Sequence, residues 1–261
     1  MHNSRAYLLS FICLITIAGP APGSAAEPGD PQRFRDAVQK FESADVVSTP
    51  PANAIVFTGS SSIELWHSLN SDMSPLIVIN RGIAGSTFED LIYWINPLVL
   101  KYKPRALVVY EGDNDIGESK LTAEEVFEKF KVFASRIHDR LPETRIYALS
   151  IKPTILRWAL WPEMKRANEL IQEWCKDTPE IYYVDVSAPM LDAQKKPRKE
   201  LFGADGLHMN SQGYDVWASV LKPMLVANDQ ERDGIVRLLN QSPRALHAPQ
   251  TAQPATPGKS D

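Results

Sequence analysis

Three short segments, far apart in the chain, carry side chains suited to one reaction: Gly59-Ser60-Ser61-Ser62, Gly112-Asp113-Asn114-Asp115 and Asp205-Gly206-Leu207-His208. The first offers serine hydroxyls at the end of an apolar run. The second offers a side-chain amide, and the third an imidazole with a carboxylate three residues before it. Nucleophilic acyl transfer needs a nucleophile, a base with an orienting acid, and donors for an oxyanion, meeting in space rather than in sequence. Three consecutive serines leave the nucleophile open on spacing alone, and serine is also a favoured helix cap. A lone Asp-x-x-His is also common as a surface pair. Asn114 can donate its amide hydrogens. Gly85, in Asn80-Arg81-Gly82-Ile83-Ala84-Gly85, can bring a backbone N–H close to a ligand because it has no side chain. A competing reading makes Asp113, Asp115, Asp205 and His208 an oxygen-rich metal site, and leaves the serines and glycines unused. His67, His138 and His247 lack such a setting and read as structural or exposed.

The elements that must position these residues show in the change of hydrophobic period. Ala54–Phe57, Leu76–Ile79, Ala106–Tyr110, Arg145–Ser150 and Ile181–Val186 are short apolar runs with the look of buried strands. Helical stripes separate most of them: Leu91 to Val99, Val126 to Ile137 after Thr122-Ala123-Glu124-Glu125, Met164 to Cys175, and Tyr214 to Leu225. Strands alternating with helices imply a parallel sheet covered on both faces, with ligands at the carboxyl ends of the strands. Each reactive segment follows a strand or the last strand–helix connection. Ile155-Leu156-Arg157-Trp158-Ala159-Leu160-Trp161 after the fourth strand is dense in apolar bulk, and reads either as a pocket wall or as a helix-packing stretch.

The 261 residues, 44% hydrophobic and 23% charged, suit one globular domain with extensions. Residues 1–26 read as a secretion signal. Arg5 is their only charged side chain, Ala6 to Ala18 is mostly apolar but too short for the roughly 20 residues of a membrane span, and Gly23-Ser24-Ala25-Ala26 supplies small residues for cleavage before Glu27. That implies a secreted or periplasmic protein without stable membrane insertion after cleavage. Residues 27–52 read as a helix with Phe34, Ala37, Val38 and Phe41 on one face, followed by a linker. Residues 53–228 hold the catalytic domain, and residues 229–261 a short helix around Ile235 to Leu239 and a disordered tail. A net charge of −4, read as lacking a basic block, gives no footprint for nucleic acid or anionic membrane. Once the signal is removed only Cys175 remains, which excludes an internal disulfide and reads as a buried apolar side chain.

Four blocks in order over residues 53–226 resemble the SGNH hydrolase superfamily of GDSL-type esterases: Phe57 to Trp66, Asn80 to Ser86, Gly112 to Asp115, and Asp205 to Asn210. The resemblance implies a three-layer α/β/α sandwich around a five-stranded parallel sheet, a flavodoxin-like arrangement. It also implies Ser61 as nucleophile, His208 as base and Asp205 as orienting acid. The Ser61 N–H, the Gly85 N–H and the Asn114 amide would form the oxyanion hole. No metal or organic cofactor is implied. The expected activity is hydrolysis of carboxylic esters, either small acyl esters or acylated carbohydrates, with an ester as the only expected partner and no expectation for oligomeric state. Acyl transfer to a sugar acceptor with the same triad, or a carbohydrate-binding module with a vestigial site, are the alternatives. One departure stands out: Ser60 occupies the position where the family usually has aspartate.

Overall fold

The computed structural model describes residues 29–241. The proposed signal, the final twenty residues and His247 lie outside them. Five strands, β1 Ile55–Gly59, β2 Val78–Gly82, β3 Ala106–Tyr110, β4 Arg145–Leu149 and β5 Ile181–Val184, form one parallel sheet in the order β2-β1-β3-β4-β5. The helices are α1 Arg35–Val47, α2 Ser61–Glu64, α3 Leu69–Met73, α4 Phe88–Tyr93, α5 Ile95–Leu98, α6 Asp113–Gly117, α7 Ala123–His138, α8 Trp161–Lys176 and α9 Ser211–Gln241. Strand pleating divides the core in two. Val56, Ile79, Leu107, Val109, Ile146 and Ala148 face α1, α4, α5, α7 and α8. Ile55, Phe57, Val108, Tyr110, Tyr147 and Leu149 face α2, α3 and α9. Both faces are therefore apolar, as an all-parallel sheet requires, and the architecture is the three-layer α/β/α sandwich with a flavodoxin-like strand order.

Local chemistry accounts for the boundaries. α7 starts with a capping box, the Glu125 N–H donating to Thr122 Oγ1 at 3.2 Å and the Thr122 N–H to Glu125 Oε2 at 2.8 Å. The buried amide of Asn168 on α8 brackets Ile151, accepting from its N–H at 2.7 Å and donating to its carbonyl at 2.9 Å, which fixes the end of β4. β2 begins two residues later than its apolar run suggests. The Ile77 carbonyl still accepts from Ile55 N–H, but its side chain is exposed. The stripe from Leu91 to Val99 is two short helices with a break at Trp94, whose indole donates to the Pro31 carbonyl at 2.7 Å. α1 packs Val38 into the core, with Phe34, Ala37 and Phe41 against it, so the leader helix shares the core of the sheet.

At the other end, the stripe from Tyr214 to Leu225 and the short helix around Ile235 to Leu239 belong to one element. α9 runs on through Pro223 and past Ala227 as one helix. Arg105 Nη2 holds Asp229 at 3.1 Å and Arg145 pairs with the same carboxylate, which docks the polar half of α9 under the sheet. Cys175 is a free thiol on α8, partly buried against the core, and burial pushes its pKa up to about 12. No helix among the described residues is long and apolar enough to cross a membrane.

Candidate active site

The strand order reverses direction between β1 and β3, and their carboxyl ends are in register at Gly59 and Tyr110, with Gly82 of β2 on the other side of Gly59. Such a switch point is where an open α/β sheet makes a crevice. Ser61 follows β1 by two residues, Gly85 follows β2 by three, and Asn114 follows β3 by four. Gly59 has φ +134°, and a Cβ there would lie 1.9 Å from the Tyr110 carbonyl oxygen, so only glycine permits this strand-to-helix turn.

The turn gives the three serines different fates. Ser60 is buried, its N–H donates to the Tyr110 carbonyl at 3.1 Å, and its hydroxyl has no hydrogen-bond partner among the described residues. It occupies the N-cap position of α2 without a side-chain capping bond. Ser62 is buried and accepts from Lys152 Nζ at 2.9 Å. Ser61 alone is partly exposed and meets the imidazole, with its Oγ 3.0 Å from His208 Nε2.

On the far side of the ring, His208 Nδ1 lies 2.6 Å from Asp205 Oδ2. The other Asp205 oxygen accepts from the Leu207 N–H at 2.9 Å and the His208 N–H at 3.0 Å. The Leu207 bond and the imidazole contact draw the Asp205 pKa down to about 2, so its carboxylate is ionised at any working pH. It accepts a hydrogen bond from the Nδ1–H, which leaves Nε2 as the acceptor that faces Ser61.

Asn114 lies in the first turn of α6. Its Nδ2 donates to the Ser86 carbonyl at 2.9 Å, and its Oδ1 accepts from Arg157 Nη1 at 3.0 Å. A guanidinium has no acceptor, so Arg157 sets which way the amide faces. One hydrogen of the NH2 group is taken by Ser86, and the second remains. Gly85 has φ +80°, and a Cβ there would meet nothing within 4 Å, so its backbone borders open space. A cavity of about 620 Å³ adjoins it, with Arg33, Thr87 and Leu121 among its walls.

A buried ionic network lies beneath the site. Lys152 is 1% exposed, and besides Ser62 its Nζ donates to Tyr110 OH at 3.1 Å and Asp113 Oδ2 at 3.2 Å. It ties the turn after β1, through Ser62, to the residue before Asn114. Burial acts to lower Lys152 and to raise Asp113, but the Lys152 and Arg157 cations outweigh it and hold Asp113 below its ordinary value. Glu111 is buried too. Desolvation first, then the nearby Asp115 and Asp113, push its pKa well up, and it accepts from Ser86 Oγ at 2.9 Å. Burial raises Asp115 to about 7, against the hydrogen bond from Phe88 N–H at 3.1 Å.

The four residues of the metal reading are thus placed apart in role: Asp113 with Lys152, Asp115 with Phe88, and Asp205 with His208. Among the described residues no group of three or more His, Cys, Asp or Glu is arranged to hold a metal ion. His138 Nε2 lies 3.0 Å from the Thr144 carbonyl, and His67 is exposed.

Lys152, Arg157, Ser86 and Glu111 are the site residues the sequence did not single out. Arg157 lies inside the segment 155–161 that drew notice for its apolar bulk. Its helix-packing role is plain at the C-terminal end, where Leu160 and Trp161 pack against the core. Trp161 opens α8, while Leu156 is 63% exposed and its N–H donates to the Gly206 carbonyl at 3.0 Å, beside the Asp205–His208 turn.

The chain is 25% identical over 189 residues to the platelet-activating factor acetylhydrolase IB subunit alpha1 of Bos taurus, covering 69% of this chain and 79% of that protein. A GDSL-like lipase from Bacteroides thetaiotaomicron superposes with a TM-score of 0.61 at 20% identity, covering 73% of this chain and 98% of that one. A carbohydrate esterase family 3 protein from Talaromyces cellulolyticus does so with a TM-score of 0.55 at 18% identity, covering 68% and 99%. At these identities the two structures speak for the fold. The model of the GDSL-like Lipase/Acylhydrolase family matches residues 54–216, a span that runs from the first strand past His208 and holds every strand of the sheet, so the chain belongs to that family of hydrolases, within the SGNH hydrolase superfamily.

Proposed function

We propose that this protein is an exported serine esterase that hydrolyses carboxylic esters, either small acyl esters or acylated carbohydrates. The carrying observation is the unbroken line from Asp205 Oδ2 to His208 Nδ1 at 2.6 Å and from His208 Nε2 to Ser61 Oγ at 3.0 Å. His208 removes the hydroxyl proton as Ser61 attacks the ester carbonyl carbon. The carbonyl oxygen becomes an oxyanion that the Ser61 N–H, the Gly85 N–H and the free Asn114 amide hydrogen receive. His208 then protonates the departing alkoxide, leaving an acyl-Ser61. Water, deprotonated by the same imidazole, releases the acid and restores the serine. Asp205 stays ionised throughout and stabilises the imidazolium. The exposed Leu156 and the cavity beside Gly85 leave room and apolar surface for a small acyl group.

The activity is checked with p-nitrophenyl acetate. Wild type turns it over, and Ser61→Ala retains a rate near background; equal rates for the two remove Ser61 from the mechanism. Export rests on the small-residue site before Glu27. N-terminal sequencing of the mature protein is expected to begin there, and an intact Met1 in the cytosolic fraction contradicts it.

A further inference from the structure

The chain is acidic overall, yet Lys195, Lys196, Arg198 and Lys199 crowd four cations into five residues. The whole-chain charge conceals this run. In the fold the run is a built hairpin. Leu191 and Pro197 pair as an antiparallel bridge, and the Asp192 N–H donates to the Lys196 carbonyl at 2.8 Å. Asp192 Oδ1 accepts from the Gln194 N–H at 2.9 Å and the Lys196 N–H at 2.8 Å. Lys195, Lys196 and Lys199 are exposed on it, whereas Arg198 pairs with Glu200 at 2.9 Å. Asp192 and Glu200 are the only acids in this stretch, so cations prevail.

The hairpin adjoins the candidate site on two sides. Downstream it leads into the Asp205–His208 turn, and Asn210 Nδ2 donates to the Glu200 carbonyl at 2.8 Å. On its other side, Lys196 Nζ lies 4.9 Å over the ring of Trp158, which stacks on Trp161 with centroids 6.0 Å apart and planes 14° from parallel. Trp158 is next to Arg157, which orients Asn114. A cavity of about 670 Å³ opens on the hairpin, lined by Leu191, Lys196, Pro197 and Lys199 among others.

We propose that this hairpin and the Trp158–Trp161 pair form a subsite for an acidic glycan chain, so that the ester cleaved at Ser61 is one borne by an anionic polysaccharide. This rests on the esterase reading above and names its substrate class. Flat indole faces suit the apolar faces of sugar rings, and ammonium groups in a row suit carboxylates spaced along a polymer. Charge complementarity picks an anionic occupant. The indole pair beside the lysines favours a sugar chain over a bare phosphate surface.

The test uses acetylated glucuronoxylan and the same polymer carboxyl-reduced and re-acetylated, with the full-length mature enzyme. Wild type is expected to show a higher kcat/KM on the acidic polymer, and added salt should erase the difference. The triple substitution Lys195→Ser, Lys196→Ser, Lys199→Ser is expected to lose about tenfold on the acidic polymer, mainly through KM. It should leave the neutral polymer and p-nitrophenyl acetate unchanged. Trp158→Ala should weaken both polymers. An equal rate on the two polymers in wild type, or an unchanged preference in the triple variant, overturns the proposal. So does competition by anionic phospholipid vesicles or oligonucleotides that is stronger than competition by the de-esterified acidic polymer. Failure of the esterase reading shows separately, as loss of p-nitrophenyl acetate turnover. In that case affinity electrophoresis of Ser61→Ala on the two polymers decides the subsite by itself.

Discussion

Asp205 and His208 are three residues apart, and the turn between them does most of the work of aligning the imidazole. The Leu207 and His208 N–H groups fix one oxygen of the carboxylate and leave the other for Nδ1. Asp205→Asn keeps this shape but offers an amide where an anion was, which favours the wrong tautomer of His208. The expected result is a fall in kcat on the order of a thousandfold with KM little changed, read in steady-state kinetics on p-nitrophenyl acetate. A variant within tenfold of wild type would show that the carboxylate does not orient the base. Among the serines, spacing could not choose. The choice of Ser61 in the sequence rests on family resemblance, and the fold adds a reason. Ser60 and Ser62 are turned inward, while Ser61 alone meets His208. The departure at Ser60 is a buried hydroxyl, set apart from the Asp205–His208–Ser61 line.

At the scale of elements, the loops after β1 and β3 are held in one arrangement by a cation neither of them carries. Lys152 enters from the segment after β4 and bonds Ser62 on one side and Asp113 on the other. Lys152→Met leaves the Asp113 carboxylate buried without its closest cation, and is expected to cost about 3–5 kcal/mol of stability in denaturant unfolding. Adding Asp113→Asn removes the stranded charge and is expected to recover much of that loss. A double variant as unstable as the single one would show that packing around Lys152, and not its charge, matters. A lone lysine after a strand looks in sequence like any solvated side chain, so only the assembled fold reveals this one. The strands, by contrast, were legible because an all-parallel sheet demands apolar residues on both faces, and Val56, Leu107 and Val109 show it within single short runs. Helix ends were less legible. The break at Trp94 depends on a hydrogen bond to Pro31, some sixty residues upstream, and the unbroken run of α9 depends on Asp229 meeting Arg105 and Arg145. No local pattern contains such contacts.

At the scale of the whole molecule, the switch point gathers acids as well as the proposed catalytic groups, and the burial of the acids is set against folding as pH rises. Asp115 sits at about 7 in the fold against an ordinary value of 3.8. The folded state therefore holds a proton that the unfolded chain gives up, and stability falls as pH rises from about 4 through 7. The buried Glu111 acts in the same direction. Asp115→Asn keeps an oxygen for the Phe88 N–H and is expected to flatten this decline, gaining on the order of 1–4 kcal/mol at pH 8 relative to pH 4. Urea unfolding of both proteins across that range is the check, and parallel pH curves would contradict it. The central claim concerns Ser61, and covalent labelling tests it most directly. A fluorophosphonate should modify the mature wild-type protein once, with peptide mass spectrometry placing the adduct on Ser61, and labelling and ester turnover should vanish together in Ser61→Ala. An adduct on Ser60 or Ser62, or turnover that survives in Ser61→Ala, would contradict it.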